Sequence, residues 1–137
     1  TPVVFFNGDT ILKNRNLQAM SDELSQVSGF IDCFKSNDPK YSFINHNKLD
    51  YVTNIEEKVC ISNIATSGLY FFSSPNLYMT EYRNTQKANC DETYISHVYN
   101  GMIKKQLKIK FHLEQNSLNT IILGTPEEYT NYSNSIK

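Results

Sequence analysis

The sequence predicts an α/β fold: a mainly parallel sheet with helices on its faces and one β-hairpin inserted. Three observations carry this. Val3–Phe6 reads VVFF, apolar at every position, as in a central parallel strand covered on both sides. Leu17, Met20, Leu24 and Val27 then recur at helical spacing. They precede a second strand at residues 30–34, the strand–helix–strand order of a βαβ unit.

The totals bound the class. The chain has 137 residues, 39% hydrophobic and 20% charged, the composition of an ordinary globular domain or part of one. A formal net charge of −1 gives no electrostatic reason to expect nucleic acid or a membrane surface as partner. Lys104, Lys105, Lys108 and Lys110 cluster without interleaved aromatics and read as a solvated surface. The longest apolar runs, about five residues, are well short of a membrane-spanning helix. Cys33, Cys60 and Cys90 are odd in number and widely spaced. They encode neither a zinc ribbon nor a redox pair, and free thiols in a cytoplasmic protein are expected.

The elements follow in order. Asn7-Gly8-Asp9 ends the first strand. Asn14 or Asn16 can cap the helix that follows, and Ser28-Gly29 can close it. After the loop Ser36-Asn37-Asp38-Pro39, residues 41–44 and 49–55 form a hairpin around the polar turn Asn45-His46-Asn47-Lys48. Residues 68–72 are the next strand. Residues 76–106 read as helical, with Ile95, Val98 and Met102 on one face and Asn89 three residues before Glu92 as in a capping box. Residues 107–113 alternate apolar with Lys, Lys and His, a half-buried strand. Residues 120–123 form a short strand. Thr125-Pro126-Glu127-Glu128 starts a last helix, with Thr at the cap and Pro at the first helical position. The polar residues 131–137 are expected to fray.

Few residues invite chemistry. Asp9 stands at the carboxyl end of a strand, where ligands of open α/β sheets bind. A carboxylate there suits Mg²⁺ shared with phosphate oxygens; the plain alternative is a turn or cap residue. Glu57 and Lys58 end a strand, and Lys58 could meet a phosphate as a mobile point charge, or both belong to a solvated charge run. Gly68 permits close backbone approach or simple packing. Glu92 could line a site or only favour a helix start. Thr125 places a helix N-terminus near a strand end, where N–H groups attract anions, or only caps. His46, His97 and His112 share no spacing; only His97, near a helix start, is a mild candidate. No nucleophile motif such as G-x-S-x-G occurs.

Taken in order, "VVFFNGDTIL", "VTNIEEK", "ATSGLYFF", "DETYISHVYNGMIKK" and "LGTPEEY" resemble the sugar-phosphate nucleotidyltransferases, also called nucleotide-sugar pyrophosphorylases. The nearest flavour is the bacterial enzymes of capsule and surface-polysaccharide synthesis. The resemblance covers essentially the whole chain and rests on the order and spacing of motifs. It implies a doubly wound, Rossmann-like α/β domain. It implies transfer of a nucleotidyl group from a nucleoside triphosphate to a sugar 1-phosphate, with Mg²⁺ as cofactor. Catalysis would then be positioning and charge neutralisation. On this resemblance Asp9 binds the metal, Glu57 and Lys58 contact the sugar phosphate, and Gly68 lines the sugar pocket.

Two departures stand out. Where many members of that family carry a second acidic metal ligand, this chain has Ile122. One carboxylate with phosphates and water, or another acid such as Glu92, would have to serve. The five glycines at 8, 29, 68, 101 and 124 lie at least 20 residues apart and build no Gly-rich phosphate cradle. Residues 1–137 are therefore expected to be the C-terminal half of such a domain, its sugar-phosphate and metal side. The isolated chain is expected to be inactive, and to be marginally stable or to self-associate through its sheet. Two rival readings are a non-catalytic or oligomerising fragment and a nucleotide-sugar-dependent glycosyltransferase. The second would normally show Asp-x-Asp where this chain has Asp9-Thr10-Ile11.

Overall fold

The computed structural model describes residues 1–88 and 94–136. Eight strands and four helices follow one another along these residues: β1 (Val3–Phe6), β2 (Thr10–Leu12), α1 (Leu17–Asp22), β3 (Gly29–Lys35), β4 (Ser42–His46), β5 (Val52–Glu57), β6 (Ile64–Phe72), α2 (Pro75–Ala88), α3 (Ile95–Lys104), β7 (Ile109–Glu114), β8 (Thr120–Ile122) and α4 (Pro126–Ser135). The class is α/β, but the main sheet is mixed and mostly antiparallel. Its order is β5-β4-β6-β3-β7, with β1 beside β6. Among the described strands only β3 and β7 pair in parallel.

The expectation of a mainly parallel sheet fails at β1 and β6. Strands β1 and β3 do run in the same direction, because each pairs antiparallel with β6. β6 lies between them, so the predicted βαβ unit is split by an antiparallel strand. β1 covers only residues 69–72 of β6, while β4 meets the same edge near Ala65. The VVFF run is thus not central here. Its side chains alternate in burial, and Val4 and Phe6 are each 49% exposed.

The predicted helix at residues 17–27 is one turn and a half of α-helix, capped by Asn16, whose side chain accepts from the Ala19 N–H at 3.0 Å, followed by a 3₁₀ turn. The hairpin is present. Asn47 closes its turn by accepting from the N–H groups of Leu49 and Tyr51 at 3.0 and 3.1 Å, the local side-chain bonding that favours Asn in turns. β6 begins at Ile64, four residues before the predicted start at 68. The Asn89–Glu92 capping pair lies outside the described residues. Instead His97 receives the Tyr94 N–H on Nδ1 at 3.2 Å. α4 starts as expected, with Thr125 Oγ1 accepting from the Glu128 N–H at 3.1 Å, and it continues to Ser135 rather than fraying at 131.

Alternation along the strands sorts the core into two faces. Ile31, Cys33 and Phe72 pack under Val98, Tyr99 and Met102 of α3. Phe72 stacks on Tyr99 with centroids 4.5 Å apart and rings 11° from parallel, an arrangement worth roughly 1 kcal/mol beyond the buried area. On the opposite face, Phe30, Leu69 and Phe71 meet Met20 of α1. Phe34, Phe43 and Ala65 meet Ile122 of β8 there. β2 and β8 form a separate antiparallel ribbon, Thr10 opposite Ile122. This ribbon, laid on the second face, frames a cavity. Among the described residues no helix is long and apolar enough to cross a membrane.

Candidate functional site

The cavity, about 470 Å³, opens where β6 departs from regular pairing. Between the pairs Ile31↔Tyr70 and Cys33↔Thr66, β3 advances two residues and β6 four. The surplus leaves Ser67, Gly68 and Leu69 opposite the single residue Asp32 as a bulge, a common device for re-aiming backbone at a site. Gly68 has φ +100°, a conformation that residues with a Cβ rarely adopt. Its carbonyl accepts from the Asn7 N–H at 3.1 Å. A Cβ at Gly68 would lie 2.6 Å from Asn7 Nδ2, so the Asn7 side chain lies directly on the glycine.

The ribbon builds the second wall. Asp9 immediately precedes β2, and its carbonyl accepts from the Leu123 N–H at 2.6 Å. Its Oδ1 accepts from Thr10 Oγ1 at 3.3 Å. Its Oδ2 lies 2.9 Å from where a Cβ on Gly124 would be. Glycine at 124 therefore makes room for the Asp9 carboxylate. Ile122 and Thr125 also face the cavity, but the Thr125 hydroxyl oxygen is already occupied in capping α4.

The open end of the hairpin supplies the third wall. Ser42 and Glu57 are register partners, and the Ser42 hydroxyl donates to Glu57 Oε2. The Tyr70 hydroxyl bonds Thr66 Oγ1 at 2.8 Å; burial pushes its pKa up to about 12. Lys40 Nζ lies 3.2 Å from Glu128 Oε2 and bridges the loop to α4 across the cavity. Burial acts to lower its pKa, but the hydrogen bond to Glu128, with Tyr41 and the Glu128 charge beside it, outweighs this and raises it overall.

Two residues of the cavity wall each carry a buried oxygen with no hydrogen-bond partner among the described residues. Ser96 is 4% exposed, yet its Oγ makes no hydrogen bond, and neither does the buried Glu128 Oε1. Such unpaired buried oxygens are rare in folded proteins.

Four of the predicted site residues, Asp9, Glu57, Gly68 and Thr125, line this one cavity. Lys58 does not. It follows Glu57, is exposed, and has φ +58° with its N–H donated to the Tyr41 carbonyl. The ammonium in the wall belongs to Lys40. Glu92 lies outside the described residues. Asn7, Lys40, Ser42, Ser96 and Glu128 escaped the sequence reading. The loop composition around Lys40 and the helix-start role of Glu128 concealed a contact 88 residues apart. Among the described residues no three His, Cys, Asp or Glu side chains converge to hold a metal. A divalent ion at Asp9 would thus share its coordination with a bound phosphate, which Mg²⁺ does readily.

No protein-family model matches the chain, and no curated protein does. Solved structures do. The nucleoside-diphosphate-sugar pyrophosphorylase from Vibrio cholerae RC9 is 30% identical with a TM-score of 0.82, over 96% of this chain and 55% of its own. A protein from Bacillus anthracis described as a glucose-1-phosphate thymidylyltransferase, solved with a sucrose, is 17% identical with a TM-score of 0.73. That match covers 98% of this chain and 54% of the other, and at that identity it speaks for the fold alone. The chain spans about half the length of the structures it matches. Its structural neighbours are sugar-phosphate nucleotidyltransferases, and its mixed α/β sheet is of their fold.

Proposed function

We propose that this chain supplies the sugar-phosphate and metal side of a nucleotidyltransferase that joins a nucleoside triphosphate to a sugar 1-phosphate, releasing pyrophosphate. The observation that carries the reading is the convergence of Asp9, Glu57 and Gly68 on one cavity. The solved structure at 30% identity supports the same class of reaction. A role in bacterial capsule or surface-polysaccharide synthesis, in the cytoplasm, extends the reading along the sequence resemblance.

Asp9 would hold Mg²⁺, with the substrate phosphates completing the shell. Bound there, the ion would neutralise charge on the α-phosphate of the transferring nucleotidyl group. The chain's own groups position the acceptor. Glu57, held by Ser42, takes ligand hydroxyls. Lys40, tethered by Glu128, is the ammonium nearest at hand for a phosphate. The bulge at Gly68 seats the Asn7 side chain, which belongs to the same cavity wall. Lys58 sits one residue beyond the wall and would reach the phosphate by turning its side chain inward.

Pyrophosphate release by the full-length protein, with a panel of triphosphates and sugar 1-phosphates, tests this. Asp9→Asn should lower kcat by about a hundredfold or more, the usual cost of removing a group that stabilises transition-state charge. A variant within about threefold of the native rate would sink the assignment.

A further inference from the structure

Asp32 lies in mid β3 with its side chain wholly buried, on the sheet face that carries the ribbon. Its two oxygens serve different partners. Oδ1 is 3.0 Å from Arg15 Nε, and Oδ2 accepts from the Ser67 hydroxyl. The Arg15 side chain is 2% exposed. Its Nη1 donates to the carbonyls of Lys13 and Asn119 at 2.9 and 2.6 Å, and its Nη2 to Thr120 Oγ1 at 2.6 Å. Lys13 follows β2, and Asn119-Thr120 opens β8. One guanidinium thus ties both strands of the Asp9-bearing ribbon to β3, and through Asp32 to the bulge of β6.

Stability is a weak reason to keep such a pair. Apolar residues of similar volume often replace a buried ion pair without loss. What the pair does supply is direction. A guanidinium only donates, so Asp32 spends Oδ1 on Arg15 and offers Oδ2 to Ser67. A serine hydroxyl has one hydrogen, and here it points at Asp32. Ser67 is among the residues of the cavity wall, and with its hydrogen spent on Asp32 its hydroxyl has only lone pairs to offer a ligand.

We propose that Arg15 and Asp32 are positioning residues that fix Ser67 as a hydrogen-bond acceptor toward the ligand. They thereby select a ligand hydroxyl or amino group at that point, while the same guanidinium holds the Asp9 ribbon against the bulge. The inference rests on reading the cavity as the sugar-phosphate site.

Asp32→Asn inverts the polarity without moving an atom. Arg15 still demands an oxygen, so the new NH₂ faces Ser67, which must now accept and turn its hydrogen into the cavity. In the full-length protein, kcat/KM is compared for glucose 1-phosphate and its four monodeoxy-monofluoro analogues, whose fluorine cannot donate. The native protein should disfavour one analogue by about tenfold, the worth of one hydrogen bond left unmade. Asp32→Asn and Ser67→Ala should each shrink that ratio to about twofold or less. A merely structural Asp32 would lower all five values together and leave the ratio intact, which overturns the polarity assignment.

Asp32→Asn leaves Arg15 uncompensated and can unfold the protein. The double variant Arg15→Met/Asp32→Leu keeps the site apolar and filled. It should show the same loss of discrimination. Amides of Thr10–Leu12 and Thr120–Ile122 should exchange about tenfold faster, with β3 unchanged. Unchanged ribbon exchange overturns the clamp. If no sugar phosphate turns over, equilibrium binding of the five compounds reads the same ratio. If none binds, the function proposed above fails and takes the polarity assignment with it, whereas ribbon exchange still decides the clamp.

Discussion

Gly68→Ala probes the bulge on which the cavity depends. At φ +100° an alanine pays a backbone penalty of about 1–3 kcal/mol. Its Cβ would lie 2.6 Å from Asn7 Nδ2 and 3.0 Å from both Asn7 Cβ and Cγ. The amide can swing away, but Asn7 Cβ is held by the backbone bond from Asn7 N–H to the Gly68 carbonyl at 3.1 Å. Relief therefore needs backbone movement, adding about 1 kcal/mol of overpacking cost. Against this, alanine restricts the unfolded chain and returns about 0.4–1 kcal/mol. The net expectation is a loss of roughly 1–3.5 kcal/mol.

Urea denaturation measures this, with the m-value checked for constancy. Gly8→Ala is the internal control. A Cβ there meets nothing within 4 Å, and Gly8 has no positive φ. Its stability should change by less than about 0.5 kcal/mol. If Gly68→Ala and Gly8→Ala shift the midpoint equally, the steric and conformational reasoning at the bulge is wrong.

Gly124→Ala should separate stability from activity: its Cβ would meet Asp9 Oδ2 at 2.9 Å, so turnover should fall about tenfold while the melting temperature moves little. Native turnover in that variant would show that the Asp9 carboxylate needs no fixed place. Tyr70 sets an alkaline limit. Its pKa is raised from 10.0 to about 12, chiefly by burial, so its contribution is complete below about pH 10 and is lost as pH rises through 12. Two pH units at about 1.4 kcal/mol each make roughly 3 kcal/mol. Tyr70→Phe should flatten the fall in stability between those pH values; an unchanged slope would assign the alkaline transition to other groups.

What the sequence revealed depended on the range of the interaction behind it. Asn16, Asn47 and Thr125 act on backbone within four residues of themselves, and their roles follow from side-chain chemistry alone. The direction of β1 does not. A VVFF run carries no mark of parallel or antiparallel pairing, and its neighbour β6 lies more than 60 residues away. The strand at residues 120–122 was legible, but its pairing was not: its partner β2 has three residues, too few to show a period, and the two lie over 100 residues apart. The cavity was legible through its glycines and acids, but Lys40 and Glu128 become a pair only when loop and helix are brought together.

Asp32 is the instructive omission. In Gly-Phe-Ile-Asp-Cys-Phe an acid interrupts a run otherwise fit for a buried strand. The desolvation cost of a lone buried carboxylate is several kcal/mol, so such a residue must have a cationic or hydrogen-bonding partner. The sequence therefore announces a buried polar contact in β3 without naming its other end. Arg15, between two asparagines in a stretch that looks like a helix cap, gives no sign that it is that partner. The structure joins them across 17 residues and spends the remaining carboxylate oxygen on Ser67, in the cavity wall. Asp9, just before β2, and Asp32, in the middle of β3, thus meet one cavity, Asp9 from the ribbon and Asp32 through the serine.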